Sequence, residues 1–336
     1  MLKKTKKNIK NSPKMQRIYK KLKKLEQELN LSKGEKDEKI TKNINLTDEK
    51  QMNVISKKID SIIKTYTDRK NKIAEQIVKA ENIDDILWQA VGEAMVGMAH
   101  HKGTDVVPCQ DAYCLNNTKR LIIVVCDGAG SAILSDIGSK NLSQSIARLV
   151  LSLENFFIDL LDECLDIILN DMIADIIYKY SILLLKDLGS NHKRNSKDFR
   201  TTLLLFVAGG KKAFWLKVGD GEIVIEKKTK LVRVGTSIKG EYSNETVFID
   251  EGLKFADVQY GLLDISDVTG IAVMTDGTSE RLVSIDGKNI AGRLSEYFDK
   301  LRNCKLPREE LYKFLTNYED WKGSTHDDKA IVLASR

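Results

Sequence analysis

Short apolar runs, broken by glycine, aspartate and asparagine, recur along the chain from about residue 83. Six of these runs have the length and the β-branched composition of strands, and several are apolar at nearly every position, as in strands buried on both faces. They lie at 121–126, 202–207, 213–218, 222–225, 270–274 and 330–333. We therefore predict a packed, sheet-based domain over residues 83–336.

A long segment from the 140s to residue 188 has a different pattern, in which apolar side chains recur every three or four positions. This spacing places them on one face of a helix. The positions are Ile146, Leu149, Leu153, Phe157, Leu160, Leu161, Leu165, Ile168, Met172, Ile176 and Leu183. We expect helices here that cover the predicted strands.

Residues 1–82 form a separate region, predicted to be a basic, helical or partly flexible N-terminal extension. Two apolar stripes at helical spacing flank a charged linker at 32–45. The first stripe is Met15, Ile18, Leu22, Leu25 and Leu29, and the second is Ile55, Ile59, Ile62 and Tyr66.

Charge sets this extension apart from the rest of the chain. Residues 1–80 carry 23 Lys and Arg against 10 Asp and Glu, whereas the remainder carries 31 against 38. The simplest interpretation of the extension is a surface that docks a protein partner or packs on itself. A nucleic-acid partner is the weaker alternative, because no groove-reading motif accompanies the lysines.

The apolar runs are too short or too charged to cross a bilayer, so we predict neither a membrane-spanning helix nor a membrane partner. Five cysteines at 109, 114, 126, 164 and 304 include no Cys-x-x-Cys pair, which argues against a disulfide framework or a zinc cage. Without a visible secretory signal, we expect a cytoplasmic protein with reduced thiols.

Four short acidic motifs lie where predicted strands end. They are Asp127-Gly128-Ala129-Gly130-Ser131, Gly219-Asp220-Gly221, Thr275-Asp276-Gly277 and His326-Asp327-Asp328. Aspartates at strand ends supply the rigid oxygen ligands that Mg²⁺ and Mn²⁺ prefer. One Asp-Gly pair is weak evidence because it also suits a hairpin turn, so the signal is the ordered set.

With Gln110-Asp111-Ala112 upstream, these motifs resemble the ordered signature of the type 2C metal-dependent serine/threonine protein phosphatases, in a bacterial-type variant. Matching segments also occur at 97–100, 201–203 and 240–246, and the resemblance covers about residues 91–336. It implies an α+β fold, a four-layer αββα sandwich of two antiparallel sheets flanked by helices. It also implies a two-metal centre at one end of that sandwich.

The resemblance further implies a role for each acidic residue around two Mn²⁺ or Mg²⁺ ions. Asp127 would bridge both ions, Gly128 would offer its carbonyl oxygen, and Asp276 and Asp327 would complete one coordination sphere. Asp111 would hold metal-bound water.

Asp220 and Glu280 match positions that hold an extra, weaker ion. For these two residues the alternatives are a tight turn at Asp220 and a solvated Glu280.

The implied reaction is hydrolysis of phosphoserine or phosphothreonine in proteins by a metal-bridging hydroxide, countering a partner kinase. No covalent intermediate is needed, so we interpret Cys126 as a buried small apolar residue rather than a nucleophile. The alternative is a catalytically weak, phosphatase-like scaffold or binding module with a basic helical docking region.

Two departures from eukaryotic relatives leave phosphate capture and proton donation open. Ala129 stands where they carry a histidine, and Val106 stands where they carry a phosphate-binding arginine. We choose His100 as the replacement, either as a hydrogen-bond donor to phosphate or as the general acid, ahead of His101 and Lys102. The alternative for all three residues is a structural or surface role. The predicted catalytic residues are therefore Asp127, Asp276, Asp327 and His100.

Overall fold

The computed structural model describes residues 88–102, 105–106, 108–162, 166–236 and 246–336. The predicted extension over residues 1–82 and its boundary with the following domain lie outside the described residues. Cys164 and most of the 240–246 segment lie outside them as well.

Two five-stranded antiparallel sheets form the centre of the described domain. The first sheet has the strand order β1-β12-β11-β8-β9, the second has the order β10-β7-β6-β5-β4, and β2 pairs with β3 in a short ribbon. The strands are β1 Gln89–Met95, β2 His101–Lys102, β3 Asp105–Val106, β4 Asp111–Asn117, β5 Leu121–Asp127, β6 Leu203–Ala208, β7 Lys212–Val218, β8 Glu222–Lys227, β9 Lys230–Val234, β10 Gln259–Asp264, β11 Val268–Met274 and β12 Lys329–Ser335.

The six strands predicted from apolar runs are the three interior strands of each sheet: β5, β6 and β7 in the second sheet, and β8, β11 and β12 in the first. Every residue of β6 and β12 is buried, as expected where neighbouring strands and both faces are covered. The four edge strands, β1, β4, β9 and β10, were not predicted, because their mixed apolar and polar positions reflect partial burial.

Seven α-helices complete the described part of the chain. They are α1 Ser135–Ser152, α2 Glu154–Leu161, α3 Asp166–His192, α4 Asp276–Ser279, α5 Arg293–Arg302, α6 Arg308–Thr316 and α7 Tyr318–Trp321. The first three occupy the segment predicted to be helical. Within the described residues, no helix is both long and apolar enough to span a membrane.

Two apolar clusters show how these elements are layered. Ile123, Leu204 and Val273 belong to a cluster that joins the two sheets face to face. Side chains of α5 and α6, such as Phe298 and Leu311, pack in a second cluster on the outer face of the first sheet.

On the outer face of the second sheet, Phe157 of α2 meets Phe214 of β7 edge to face, with ring centroids 5.9 Å apart. The order of layers is therefore helix, sheet, sheet, helix, which confirms the αββα sandwich.

Candidate metal centre

The acidic motifs meet at one end of the sandwich because the antiparallel strands bring their termini there. Asp127 ends β5 and lies opposite Asp111, the first residue of β4. Asp220 lies in the turn between β7 and β8, and Asp276 follows β11. Asp327 precedes β12, which pairs with β11. Each aspartate is thus fixed by a strand end or a short turn.

Three of these aspartates form the centre of the cluster. Asp127, Asp220 and Asp276 each present a carboxylate oxygen, and the three oxygens lie within 4.8 Å of one another. One oxygen of Asp220 accepts a hydrogen bond from the Thr246 hydroxyl, 2.5 Å away. The other, Oδ1, is buried without a hydrogen-bond partner among the described residues. Such an oxygen is available to a cation.

The electrostatics of the cluster also favour a bound cation. Burial, followed by repulsion from Asp111 and Asp276, raises the pKa of Asp127 well above its ordinary value. Burial, with repulsion from Asp220 and Asp327, raises the pKa of Asp276 to about 7. Burial likewise raises the pKa of Asp111, although a hydrogen bond from Thr275 opposes it. Divalent cations would offset this concentrated negative charge.

Threonine hydroxyls hold the aspartates in place. Thr201 Oγ1 donates to the backbone carbonyl of Asp127 at 2.7 Å, and the backbone N–H of Asp127 donates to Thr202 Oγ1 at 2.9 Å. Thr275 Oγ1 donates to Asp111 Oδ2 at 2.6 Å. β-branched residues such as Thr201 and Thr202 are typical of strand packing, and here both also hold the backbone of Asp127.

Asp328 is a site residue for which the sequence predicted no role, although its motif was recognised. It is buried, and its carboxylate accepts the backbone N–H groups of Gly97 and Gln110, each at 2.6 Å. It also lies 2.9 Å from Nδ1 of His100. Asp328 immediately precedes β12. It therefore ties both the 97–100 turn and Gln110 to the start of that strand.

Two glycines allow this end of the sandwich to close. A Cβ on Gly277 would lie 2.1 Å from the carbonyl oxygen of Asp328, and a Cβ on Gly97 would lie 2.2 Å from the backbone of Asp327. Contacts this short exclude any side chain at either position. Both glycines therefore permit the loop before β12 to lie against the other motifs.

His100 lies between two carboxylates. Its Nδ1 faces Asp328, and its Nε2 is 3.6 Å from Oδ1 of Asp327. Together the three side chains offer a second group of ligand atoms within 4.8 Å of one another. His326 instead stacks on Tyr318, with ring centroids 5.8 Å apart.

Glu280 lies beside the cluster and contacts the same loop. Its carboxylate accepts the backbone N–H of Thr325 at 3.1 Å and the Thr325 hydroxyl at 3.0 Å. These bonds brace the chain two residues before Asp327. The described geometry thus gives Glu280 a local structural contact, and its assignment to an extra ion stays a prediction.

Cys126 is fully buried in β5, as predicted. Burial, reinforced by the charges of Asp127 and Asp111, raises the pKa of its thiol well above the ordinary value. The reactive thiolate is therefore disfavoured.

The sequence model of the family described as Protein phosphatase 2C matches residues 97–316, a span that holds three of the four acidic motifs. No curated protein matches the chain.

Similar solved structures include the serine/threonine phosphatase Stp1 from Staphylococcus aureus, with 13% identity, 76% of this chain and 97% of that chain covered, and a TM-score of 0.47. For PppA of Pseudomonas aeruginosa, a regulatory component of its T6SS, the values are 12%, 74%, 97% and 0.47. For the catalytic domain of the phosphatase PstP in complex with two manganese ions they are 12%, 74%, 98% and 0.45.

Proposed function

Because this chain belongs to the protein phosphatase 2C family, we propose that its aspartate cluster is the active site for hydrolysis of phosphoserine and phosphothreonine in proteins. The family consists of phosphoprotein phosphatases that depend on Mn²⁺ or Mg²⁺. We assign the active site to this cluster because carboxylate oxygens of Asp127, Asp220 and Asp276 lie within 4.8 Å of one another.

The residues fit divalent cations, since the ligand atoms are carboxylate oxygens and one buried oxygen of Asp220 lacks a partner among the described residues. Asp127, Asp276 and Asp327, with the Gly128 carbonyl, would hold two ions, and Asp220 and Glu280 would hold a weaker third. Asp111 would orient water. When bound, the two ions would lower the pKa of a water between them and offset charge on the phosphoryl oxygens, as hydroxide attack on phosphorus requires.

The protein's own contribution is to position these groups. Thr201 and Thr202 hold the backbone of Asp127, so its carboxylate keeps one orientation. Asp328 fixes the ring of His100 through Nδ1, and Nε2, which lies 3.6 Å from Oδ1 of Asp327, would deliver a proton to the leaving serine or threonine oxygen. The proposed catalytic residues are thus Asp127, Asp276, Asp327 and His100.

Partners and location belong to the same proposal. We propose a phosphoprotein substrate, a kinase whose product it hydrolyses, and a protein partner docked by residues 1–82. We also place the reaction in the cytoplasm, where the thiols of Cys109, Cys114, Cys126 and Cys304 would stay reduced.

The test is hydrolysis of a phosphothreonine peptide by the full chain with Mn²⁺, compared with Asp127→Asn. We expect the variant to lose at least about 10³-fold in kcat/KM while keeping its fold, because the change preserves shape and removes the charge that binds the ions. Chelation by EDTA should abolish wild-type turnover.

Asp264→Asn is the matched control, because Asp264 pairs with Lys212 at the start of β7, whereas Asp220 follows the other end of that strand. It should retain full activity. Normal turnover in Asp127→Asn would refute the proposed site. A folded wild-type protein that hydrolyses no phosphopeptide would instead favour the scaffold.

A further inference from the structure

The proposed centre is rich in anionic groups, yet its substrate is an anion. A phosphate ester is best held by a cation with several N–H donors, and arginine offers a planar set of them. His100 is poorly placed for this task, because both of its ring nitrogens face carboxylates.

Two lysines close to the aspartates are buried in the protein interior. Lys217 is fully buried, with Nζ 3.6 Å from a carboxylate oxygen of Glu222. Lys329 is buried, donates to the carbonyl oxygen of Asp327 at 2.9 Å, and lies 4.8 Å from the centre of the Trp321 ring. Neither ammonium group is free to meet a substrate.

Arg200 is attached directly to the loop that carries Asp127. The backbone N–H of Ala129 donates to the carbonyl oxygen of Arg200 at 3.1 Å, and Thr201 forms a bridge with Gly128. The backbone of Arg200 is extended, with φ −61° and ψ 143°. Arg200 therefore continues the line of β6 alongside the end of β5.

Alternation of side chains places Arg200 on the face of the metal centre. Leu204 and Phe206 of β6 point into the space between the sheets, as do Ile123 and Val125 of β5. Successive side chains of an extended chain point to opposite faces, so Thr202 and then Arg200 follow Leu204 on that same face. Asp127 follows Val125 in the same way.

The guanidinium group is only partly engaged. One of its nitrogens, Nη2, donates to the hydroxyl of Ser131 at 2.7 Å, and the group lies 5.7 Å from the centre of the Phe248 ring. Its Nε is buried without a hydrogen-bond partner among the described residues, while the side chain as a whole is partly exposed. Of the five N–H donors of the guanidinium, only one has a hydrogen-bond partner among the described residues, so donors on this partly exposed side chain remain for a ligand that enters from solvent.

We propose that Arg200 binds the phosphate group of the substrate, in place of the arginine absent at position 106. This inference rests on the proposed function. Ser131 and Phe248 hold the guanidinium beside the loop that follows Asp127, where it contributes charge-assisted hydrogen bonds to phosphoryl oxygens. Arg200 thereby offsets the substrate charge that the ions leave uncompensated.

The test compares wild-type protein, Arg200→Met and Arg200→Lys, all full length with Mn²⁺, using inorganic phosphate as the probe. In Arg200→Met, we expect the inhibition constant of phosphate and the KM for a phosphothreonine peptide to rise about tenfold to a hundredfold. Arg200→Lys should fall between, because it keeps the charge and loses the planar donor set. Calorimetric titration with phosphate provides the same comparison without turnover.

Arg194→Met is the matched control, since Arg194 is an exposed arginine six residues earlier. It should leave phosphate binding and KM unchanged. Phosphate inhibition equal to wild type in a folded Arg200→Met variant would overturn the proposal. A lower melting temperature with unchanged phosphate binding would reduce Arg200 to a structural role and would overturn it too.

Should Arg200→Met fail to fold, chemical modification of the wild-type protein still tests the proposal. Phenylglyoxal modifies accessible arginines, and phosphate should protect Arg200 but not Arg194, as mapped by mass spectrometry. Equal modification of Arg200 with and without phosphate would overturn the proposal. Protection without hydrolysis would sustain Arg200 as an anion site and refute the proposed function, so the two failures are distinguishable.

Discussion

Neighbouring aspartates before β12 have opposite environments and, we infer, opposite tasks. The side chain of Asp327 is 49% exposed, whereas that of Asp328 is 3% exposed. The carboxylate of Asp328 accepts backbone N–H groups far away in sequence. That of Asp327 accepts only the N–H of the next residue among the described backbone groups, and its charge raises the pKa of Asp276. One would stabilise the fold, and the other would bind metal.

Exchanging each aspartate for asparagine should separate these tasks. Asp328→Asn leaves one acceptor oxygen for two buried N–H groups, so we expect the free energy of unfolding to fall by about 1–3 kcal/mol. Asp327→Asn should change it by less than about 0.5 kcal/mol yet lose most phosphatase activity. Urea unfolding of the metal-free variants, beside activity with Mn²⁺, measures both. Equal destabilisation by the two changes would contradict this assignment.

Burial of the Asp276 carboxylate, together with charge repulsion within the cluster, predicts a pH-dependent cost to the stability of the metal-free protein. The folded-state pKa of Asp276 is about 7, against an ordinary value of 3.8. Folded protein therefore binds this proton more tightly than unfolded protein, and stability falls as pH rises towards and through about 7.

Asp276→Asn removes that cost. We expect the metal-free variant to exceed wild type by about 1–2 kcal/mol at pH 8, with the advantage shrinking as pH falls from 7 towards 4. Urea titrations at pH 8 and pH 5.5 without metal provide the measurement. Added Mn²⁺ should reverse the order by stabilising wild type more. An advantage that grows towards low pH would show that burial and repulsion of the charged Asp276 side chain are not the cause.

At the scale of elements, the start of helix α4 packs closely against Asp328, the residue before β12. Gly277 lies in the first turn of α4, where an added Cβ would meet a backbone oxygen at 2.1 Å. Backbone cannot yield as a flexible side chain does, so the helix or the 326–328 loop must move.

Gly277→Ala should therefore lower the free energy of unfolding by about 1–3 kcal/mol and reduce activity together with it. Gly292→Ala is the matched control at the start of α5, where the backbone is helical and an added Cβ meets nothing within 4 Å. It should be neutral or stabilising by up to about 1 kcal/mol. Thermal unfolding of both variants makes the comparison, and a harmless Gly277→Ala would refute the close approach.

Strand prediction succeeded or failed according to position in the sheet. Interior strands such as β6 are buried at every residue, so their sequences are continuous apolar runs. Edge strands such as β4 bury part of their surface, so Asp, Cys and Asn interrupt the apolar pattern. Their pairing partners, rather than their own residues, make them strands.

At the scale of the whole molecule, the two ends of the described domain pack against each other. Trp88 is buried, and the guanidinium of Arg336, the last residue, lies 4.6 Å from the centre of its ring. The next strand, β1, pairs with β12 along its full length. Every acidic motif of the proposed centre follows this point in the sequence.

A truncated protein beginning at Ile83 should therefore hydrolyse p-nitrophenyl phosphate within about threefold of the full chain, because it keeps Trp88, β1 and the whole cluster. Side-by-side kinetics with Mn²⁺ measure this. A truncation beginning at Val96 is the contrasting control, and it should unfold for lack of β1. A folded but inactive Ile83 truncation would show that residues 1–82 help to complete the active site.

The sequence alone determined the family, the interior strands and the aspartates of the proposed centre. Each strand and each motif is local, and the order of the motifs along the chain identified the family. A strand buried on both faces must be apolar throughout, and an aspartate at a strand end beside glycine forms a motif within a few residues. Neighbours in sequence were sufficient to recognise them.

Tertiary structure alone decided how the site is held together. Asp328 meets Gly97 across 231 positions and Gln110 across 218. Thr275 reaches Asp111 across 164, and Arg200 reaches Ser131 across 69. A threonine that supports an aspartate and a threonine that only packs have the same sequence signature. Their roles differ because hydrogen bonds depend on distances of about 3 Å in space, which sequence separation does not specify.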